Sequence, residues 1–130
     1  MVLDFLAKVR DAAKLSPKDR YNYFVRKTAS FEEVWGLYDE GWAVITDEQG
    51  RRSFPFFAKR EQAQARCVGR FEGYEPRRIG MAEFLGTWLP GMKRDGVLCG
   101  VFPDEEWRSV DVLPDRLRLD LEEELGGEEE

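Results

Sequence analysis

Apolar positions recur along the chain first with helical and then with strand spacing. Val2, Phe5, Leu6, Val9, Ala12 and Ala13 fall on one face of a helix over residues 2–14, with Asp4, Lys8, Arg10 and Asp11 largely opposite. Ser16-Pro17-Lys18-Asp19 then supplies a capping hydroxyl, a proline for the first helical position and an acid in the first turn. A second helix starts there, with Tyr21, Phe24, Val25 and Thr28 facing a core. After Ser30 the period shortens, and residues 34–38, 42–46 and 51–57 read as three strands of an antiparallel meander, with turns at Asp39-Glu40-Gly41 and Asp47-Glu48-Gln49-Gly50. Pro55 cannot donate to a ladder, which makes the third strand an edge, or bent, at that point.

A short helix follows over 59–69, with Ala63 and Cys67 inward and a glycine at its end. Residues 71–79 form a loop that enters a strand near Arg77. Met81, Phe84, Leu85 and Trp88 restore helical spacing, and Leu89-Pro90-Gly91 kinks or restarts that helix before Asp95-Gly96 closes it. Val97-Leu98-Cys99-Gly100-Val101-Phe102 lacks polar alternation, the pattern of a strand buried on both faces. A further strand over 108–112 and a last helix from Pro114 complete the order, its stripe being Leu117, Leu121 and Leu125 and its stop Gly126-Gly127. The fold class expected is α+β: a mixed, largely antiparallel sheet of about five strands, with helices packed mainly on one face. Tyr21, Phe24, Trp35, Phe84, Leu85, Trp88 and Phe102 are expected to share one core.

At 130 residues the chain is one domain, assigned to 1–125, with 126–130 as a solvated acidic tail. Charge is unevenly spread. Removing the seven acids of residues 120–130 leaves 19 acidic against 20 basic side chains, so the net charge of −6 belongs to the end of the chain. Residues 51–78 carry eight basic and three acidic groups, but Glu61, Glu72 and Glu75 interrupt the arginines and no nucleic-acid motif accompanies them. Nucleic acid is therefore an unfavoured partner, left to a weak contact through Arg51 to Arg78.

The sequence contains no histidine, which removes mechanisms built on imidazole. Cys67 and Cys99 match neither a zinc spacing nor a redox pair, and no metal or other cofactor is expected. No apolar run reaches the length of a membrane helix, and the opening residues carry an acid where a secretory signal carries positive charge. The expected setting is the cytoplasm, with both thiols reduced. The adjacent acids Glu32 and Glu33, Asp39 and Glu40, and Asp104 to Glu106 sit in turns or at helix starts, where capping or solvated carboxylates are normal. No catalytic residue is assigned.

The runs Asp19-Arg20-Tyr21-Asn22-Tyr23-Phe24, Phe31-Glu32-Glu33-Val34-Trp35-Gly36-Leu37, Gly41-Trp42-Ala43, Phe54-Pro55 and Gly73-Tyr74-Glu75-Pro76 continue into Phe84-Leu85-Gly86-Thr87-Trp88-Leu89-Pro90-Gly91, Asp95-Gly96 and Val101-Phe102-Pro103. Together they resemble the small bacterial proteins of the domain of unknown function 2750 family, over roughly residues 16–125. The N-terminal helix over 1–15 lies outside the matched part. The resemblance implies a cytosolic bacterial stand-alone domain and carries over no chemistry.

The four tryptophans decide the functional expectation. Trp35 and Trp88 sit in apolar runs and read as core, whereas Trp42 beside a turn and Trp107 after three acids are candidates for the surface. The expectation is a non-enzymatic adaptor or immunity-like module that binds another protein through Trp42, Trp107, Tyr74, Asp39 and Arg52. The alternative from another class is an enzyme that works with carboxylates and arginines.

Overall fold

The structure, a computed structural model, describes residues 12–128. The expected helix over 2–14 lies outside the described residues except for Ala12 and Ala13, which are helical. Helix α1, Pro17–Phe31, begins as its sequence dictates: Asp19 N–H donates to Ser16 Oγ at 3.2 Å and proline occupies the first turn. It ends where Glu32 enters the left-handed region (φ 53°) and returns its N–H to the Thr28 carbonyl. That reversal launches strand β1, Glu33–Tyr38.

Strand β1 pairs antiparallel with β4, Glu75–Gly80, from Glu33 opposite Gly80 to Tyr38 opposite Glu75. The expected meander is therefore half wrong. Strand β2 is only Ile45–Thr46, and it pairs with β3, Arg52–Phe56, but not with β1. Between β1 and β2 there is a single bridge, Tyr38 to Trp42, with a hydrogen bond from Ala43 N–H to Leu37 O. Alternation identifies strands but not partners, and β1 finds a six-residue partner some forty positions away.

Strand β3 runs parallel to β5, Leu98–Val101, which pairs antiparallel with β6, Val110–Val112. The result is a four-stranded sheet in the order β2-β3-β5-β6, beside the two-stranded β1-β4 ladder, and not one sheet of five strands. Trp35 and Phe57 join the two by exchanging both backbone hydrogen bonds. Pro55 falls in the gap between the β2 and β1 partners, which meets the expectation of an edge at that position. Strand β5 is central and buried, as its unbroken apolar run requires.

Helix α2 spans only Arg60–Ala65. It stops short of the expected glycine because the Arg66 and Cys67 N–H groups turn back to Ala63 O and Gln64 O, tightening the last turn. Gly69 instead opens a 3₁₀ turn to Phe71 with φ +59°, which brings Phe71 into the core. Helix α3 comprises Met81–Glu83, a π-turn Phe84–Trp88 and Leu89–Asp95. The wider turn directly precedes Pro90, whose ring would crowd the carbonyl four residues back in a regular helix. Helix α4, Pro114–Glu128, continues through Gly126 and Gly127, contrary to the expected stop. With Leu117 and Leu121 buried, the docked turns carry propagation past two poor helix formers.

Phe54, Phe56, Cys99 and Val101 share one face of the four-stranded sheet. The helices cover that face: Phe56 meets Phe84 edge-to-face at 5.0 Å and Trp88 at 5.9 Å. The core contains Phe24, Phe84 and Phe102 as expected, whereas Tyr21, Trp35, Leu85 and Trp88 are only partly buried at its margin. Ser53 and Leu98 on the opposite face line a shallow hollow of about 270 Å³ with Ile45 and Trp107.

Candidate functional site

The absence of a side chain at Gly36 shapes the first surface. Val34, Gly36 and Tyr38 share a face of β1, and across the ladder Ile79 stands opposite Val34 and Arg77 opposite Gly36. The space at Gly36 receives the ring of Trp42, which packs edge-to-face on Tyr38 at 5.1 Å and on Trp88 at 4.7 Å. Trp88 in turn meets Phe54 at 5.6 Å. The four rings form a continuous ladder, each of them partly exposed. Electron-rich faces meeting positive ring edges favour such T-shaped contacts. Arg77 covers one end, its guanidinium 3.6 Å from the Tyr38 ring centre. Arg52 stands at the other end, donating to the Asp95 carbonyl at 2.9 Å beside a groove lined by Phe54 and Trp88.

A second aromatic group is built on Phe71, which contacts Tyr74 at 5.0 Å and Trp107 at 4.8 Å under the guanidinium of Arg70. Trp107 adopts φ 62° and Phe102 φ 44°, a left-handed backbone that large side chains rarely accept. Between them the carboxylate of Asp104 organises the loop. Its Oδ1 accepts from the N–H groups of Glu106 and Arg108, each at 2.9 Å, and its Oδ2 from Arg108 Nε at 3.0 Å. Burial would raise the Asp104 pKa, but these N–H donors and the Arg108 charge outweigh it and hold the carboxyl below its ordinary value.

The five candidate contact residues thus separate into two groups. Trp42 and Arg52 both border Trp88, and the exposed Asp39 lies in the turn before Trp42, where its N–H donates to Gly41 O. Tyr74 and Trp107 instead flank Phe71. Tyr38, Phe54, Trp88 and Arg77, which complete the ladder, are not among the contact residues expected from the sequence. The one local signal was Gly36 within a strand, since an isolated strand glycine marks a close approach by another group.

Among the described residues, no cluster of three or more acids or cysteines is placed to hold a metal ion. Cys67 and Cys99 are separate free thiols; burial pushes Cys99 up to about 12 and raises Cys67 as well. Tyr21 donates to the Asp120 carboxylate, and burial followed by that hydrogen bond raises its phenol pKa. None of these groups is poised as a nucleophile or base near neutral pH.

A family model described as a protein of unknown function, DUF2750, matches residues 21–121. The chain belongs to this family. The DUF2750 portion runs from α1 into α4 and contains every ring of the ladder, the Phe71 group and the Asp104 loop. No curated protein and no solved structure matches the chain. No described helix is long and apolar enough to cross a membrane.

Proposed function

We propose that this DUF2750 domain is a non-catalytic binding module and that the Tyr38–Trp42–Trp88–Phe54 ladder is its contact face for another protein. The observation that carries this reading is the run of partly exposed rings in consecutive edge-to-face contact, with an exposed arginine at each end. Tryptophan, tyrosine and arginine dominate the energetic centres of protein interfaces, because they combine large apolar area with few rotatable bonds or a planar set of donors. Rings already held by their neighbours lose little further freedom on binding. The partner expected here offers an apolar patch flanked by carboxylates, which Arg52 and Arg77 would meet. Two unlinked cysteines fit a reducing compartment, and we place the protein in the cytoplasm.

The test is affinity capture from the native cell extract, followed by titration of the purified captured protein. Wild type is compared with an Arg52→Glu, Arg77→Glu double variant of unchanged stability. A loss of affinity of about tenfold or more supports the ladder as the contact face. Equal binding by the two forms overturns it, and recovery of nucleic acid alone overturns the protein-binding reading itself.

A further inference from the structure

A cleft of about 520 Å³ lies between the start of α1 and the loop after β5, lined among others by Lys14, Arg20, Asp104, Glu105, Glu106 and Arg108. We propose that it binds the oxyanion group, a carboxylate or a phosphate, of a small ligand, with Arg20 as the buried donor. This inference is independent of the protein-contact reading above, because it uses none of the ladder residues.

Arg20 carries the argument. It occupies an inward position of α1, one turn before Phe24, and is only 5% exposed. Its Nη1 donates to Leu15 O and its Nη2 to Arg108 O, both at 3.1 Å, whereas its Nε has no hydrogen-bond partner. Among the described residues no carboxylate forms an ion pair with it. Two carbonyl dipoles offset a buried guanidinium less well than an anion, and an orphaned N–H in such a group is a rare arrangement.

Asp104 is the buried carboxylate that lines the same cleft, but its oxygens are already engaged by the Glu106 and Arg108 N–H groups and by the Arg108 guanidinium. Its work is to shape the wall of the cleft. The site also lies at the N-terminal end of the fifteen-residue α1, where the helix dipole favours negative charge and disfavours the cation that Arg20 places there. Lys14 adds an exposed cation at the rim. The opposing acids, Glu105 and Glu106, are exposed and screened by solvent, and Glu106 is paired with Arg108 at 3.3 Å. Arg20 therefore lines the cleft with a buried positive charge that no described carboxylate answers, whereas Glu105 and Glu106 are exposed.

The experiment titrates ¹⁵N-labelled protein with inorganic phosphate and, separately, with sodium acetate, at ionic strength held constant with chloride. The Nε–H signal of Arg20 and the backbone amides of Glu105, Glu106, Arg108 and Ser109 are followed. We expect saturable shifts of these signals with at least one anion. Phosphate alone would assign a phosphorylated ligand, acetate alone a carboxylate, and both together the shared oxyanion chemistry. Lys14→Glu, a surface change, should weaken binding about three- to tenfold, and Arg94→Glu, on the exposed side of α3 outside the cleft, should not. Arg20→Lys, which keeps the charge but loses Nε, should abolish the response; if that variant fails to fold, Lys14→Glu remains decisive. The proposal is overturned by the absence of a saturable shift with either anion up to about 50 mM, well beyond the millimolar range of a weak contact. Equal binding by wild type and Lys14→Glu would overturn it too.

Discussion

Gly36 and Trp42 occupy the same space: a β-carbon at position 36 would lie 2.9 Å from Cζ3 of the Trp42 indole. The missing side chain on β1 is the condition for the aromatic ladder, since it lets the indole lie flat enough to touch both Tyr38 and Trp88. Gly36→Ala should therefore displace Trp42 and destabilise the domain by about 1–3 kcal/mol, the usual range for overpacking. Urea unfolding followed by tryptophan fluorescence reads both effects. An unchanged midpoint and spectrum would mean that the indole does not rest on Gly36.

Phe84 and Leu119 mark opposite extremes of burial. Phe84 is fully buried against Phe56, and Phe84→Ala should cost about 3–5 kcal/mol. Leu119 is 63% exposed on α4, and Leu119→Ala should change stability by no more than about 0.5 kcal/mol. Chemical denaturation of both variants checks the placement of the core, which fails if the two costs are alike.

The Asp104 carboxyl, held below its ordinary value, makes stability depend on acid. In the unfolded chain it takes up a proton near pH 4, before the folded protein does, so the unfolded state binds more protons in that window. Its contribution is complete above about pH 4 and is lost as the pH falls through the lower folded value. Asp104→Asn should be less stable than wild type at neutral pH, and the gap should close on acidification. A gap independent of pH would show that the ionised form of Asp104 is not what holds the loop.

The two thiols should differ in reactivity. Cys99 is fully buried with its pKa pushed up to about 12, and Cys67 is half-buried with its Sγ donating to Ala63 O at 3.4 Å. A thiol-specific disulfide reagent at neutral pH should modify Cys67 slowly and Cys99 only on unfolding. Rapid labelling of Cys99 in the folded protein would contradict its burial.

The basic stretch over 51–78 should not hold a nonspecific oligonucleotide at moderate salt. Arg51 is paired with Asp47 at 2.7 Å and Arg78 with Glu33 at 2.7 Å. Phosphate contacts depend on free cations and weaken steeply as salt rises. Fluorescence anisotropy at low and moderate salt measures this directly, and salt-resistant binding would restore the nucleic-acid reading.

Local chemistry made a large part of the fold legible. Ser16 and Pro17 announced α1, Pro114 announced α4, and the apolar run of β5 announced a central strand, because capping and burial period act over a few residues. The family was legible in the same way, through ordered tryptophan and glycine motifs that the family match over 21–121 bears out. The lack of histidine, a matter of composition alone, already excluded imidazole chemistry. Tertiary structure decided the rest. It paired β1 with β4, laid Trp42 over Gly36, and drew Trp88 from the expected core into a surface ladder. Arg20 is the sharpest case: a charge at an apolar position of a helix is visible locally, but the carbonyl it reaches on Arg108 lies 88 residues away. Such contacts are set by how the elements pack, and neither hydrophobic period nor turn chemistry carries information about which distant backbone a side chain will meet.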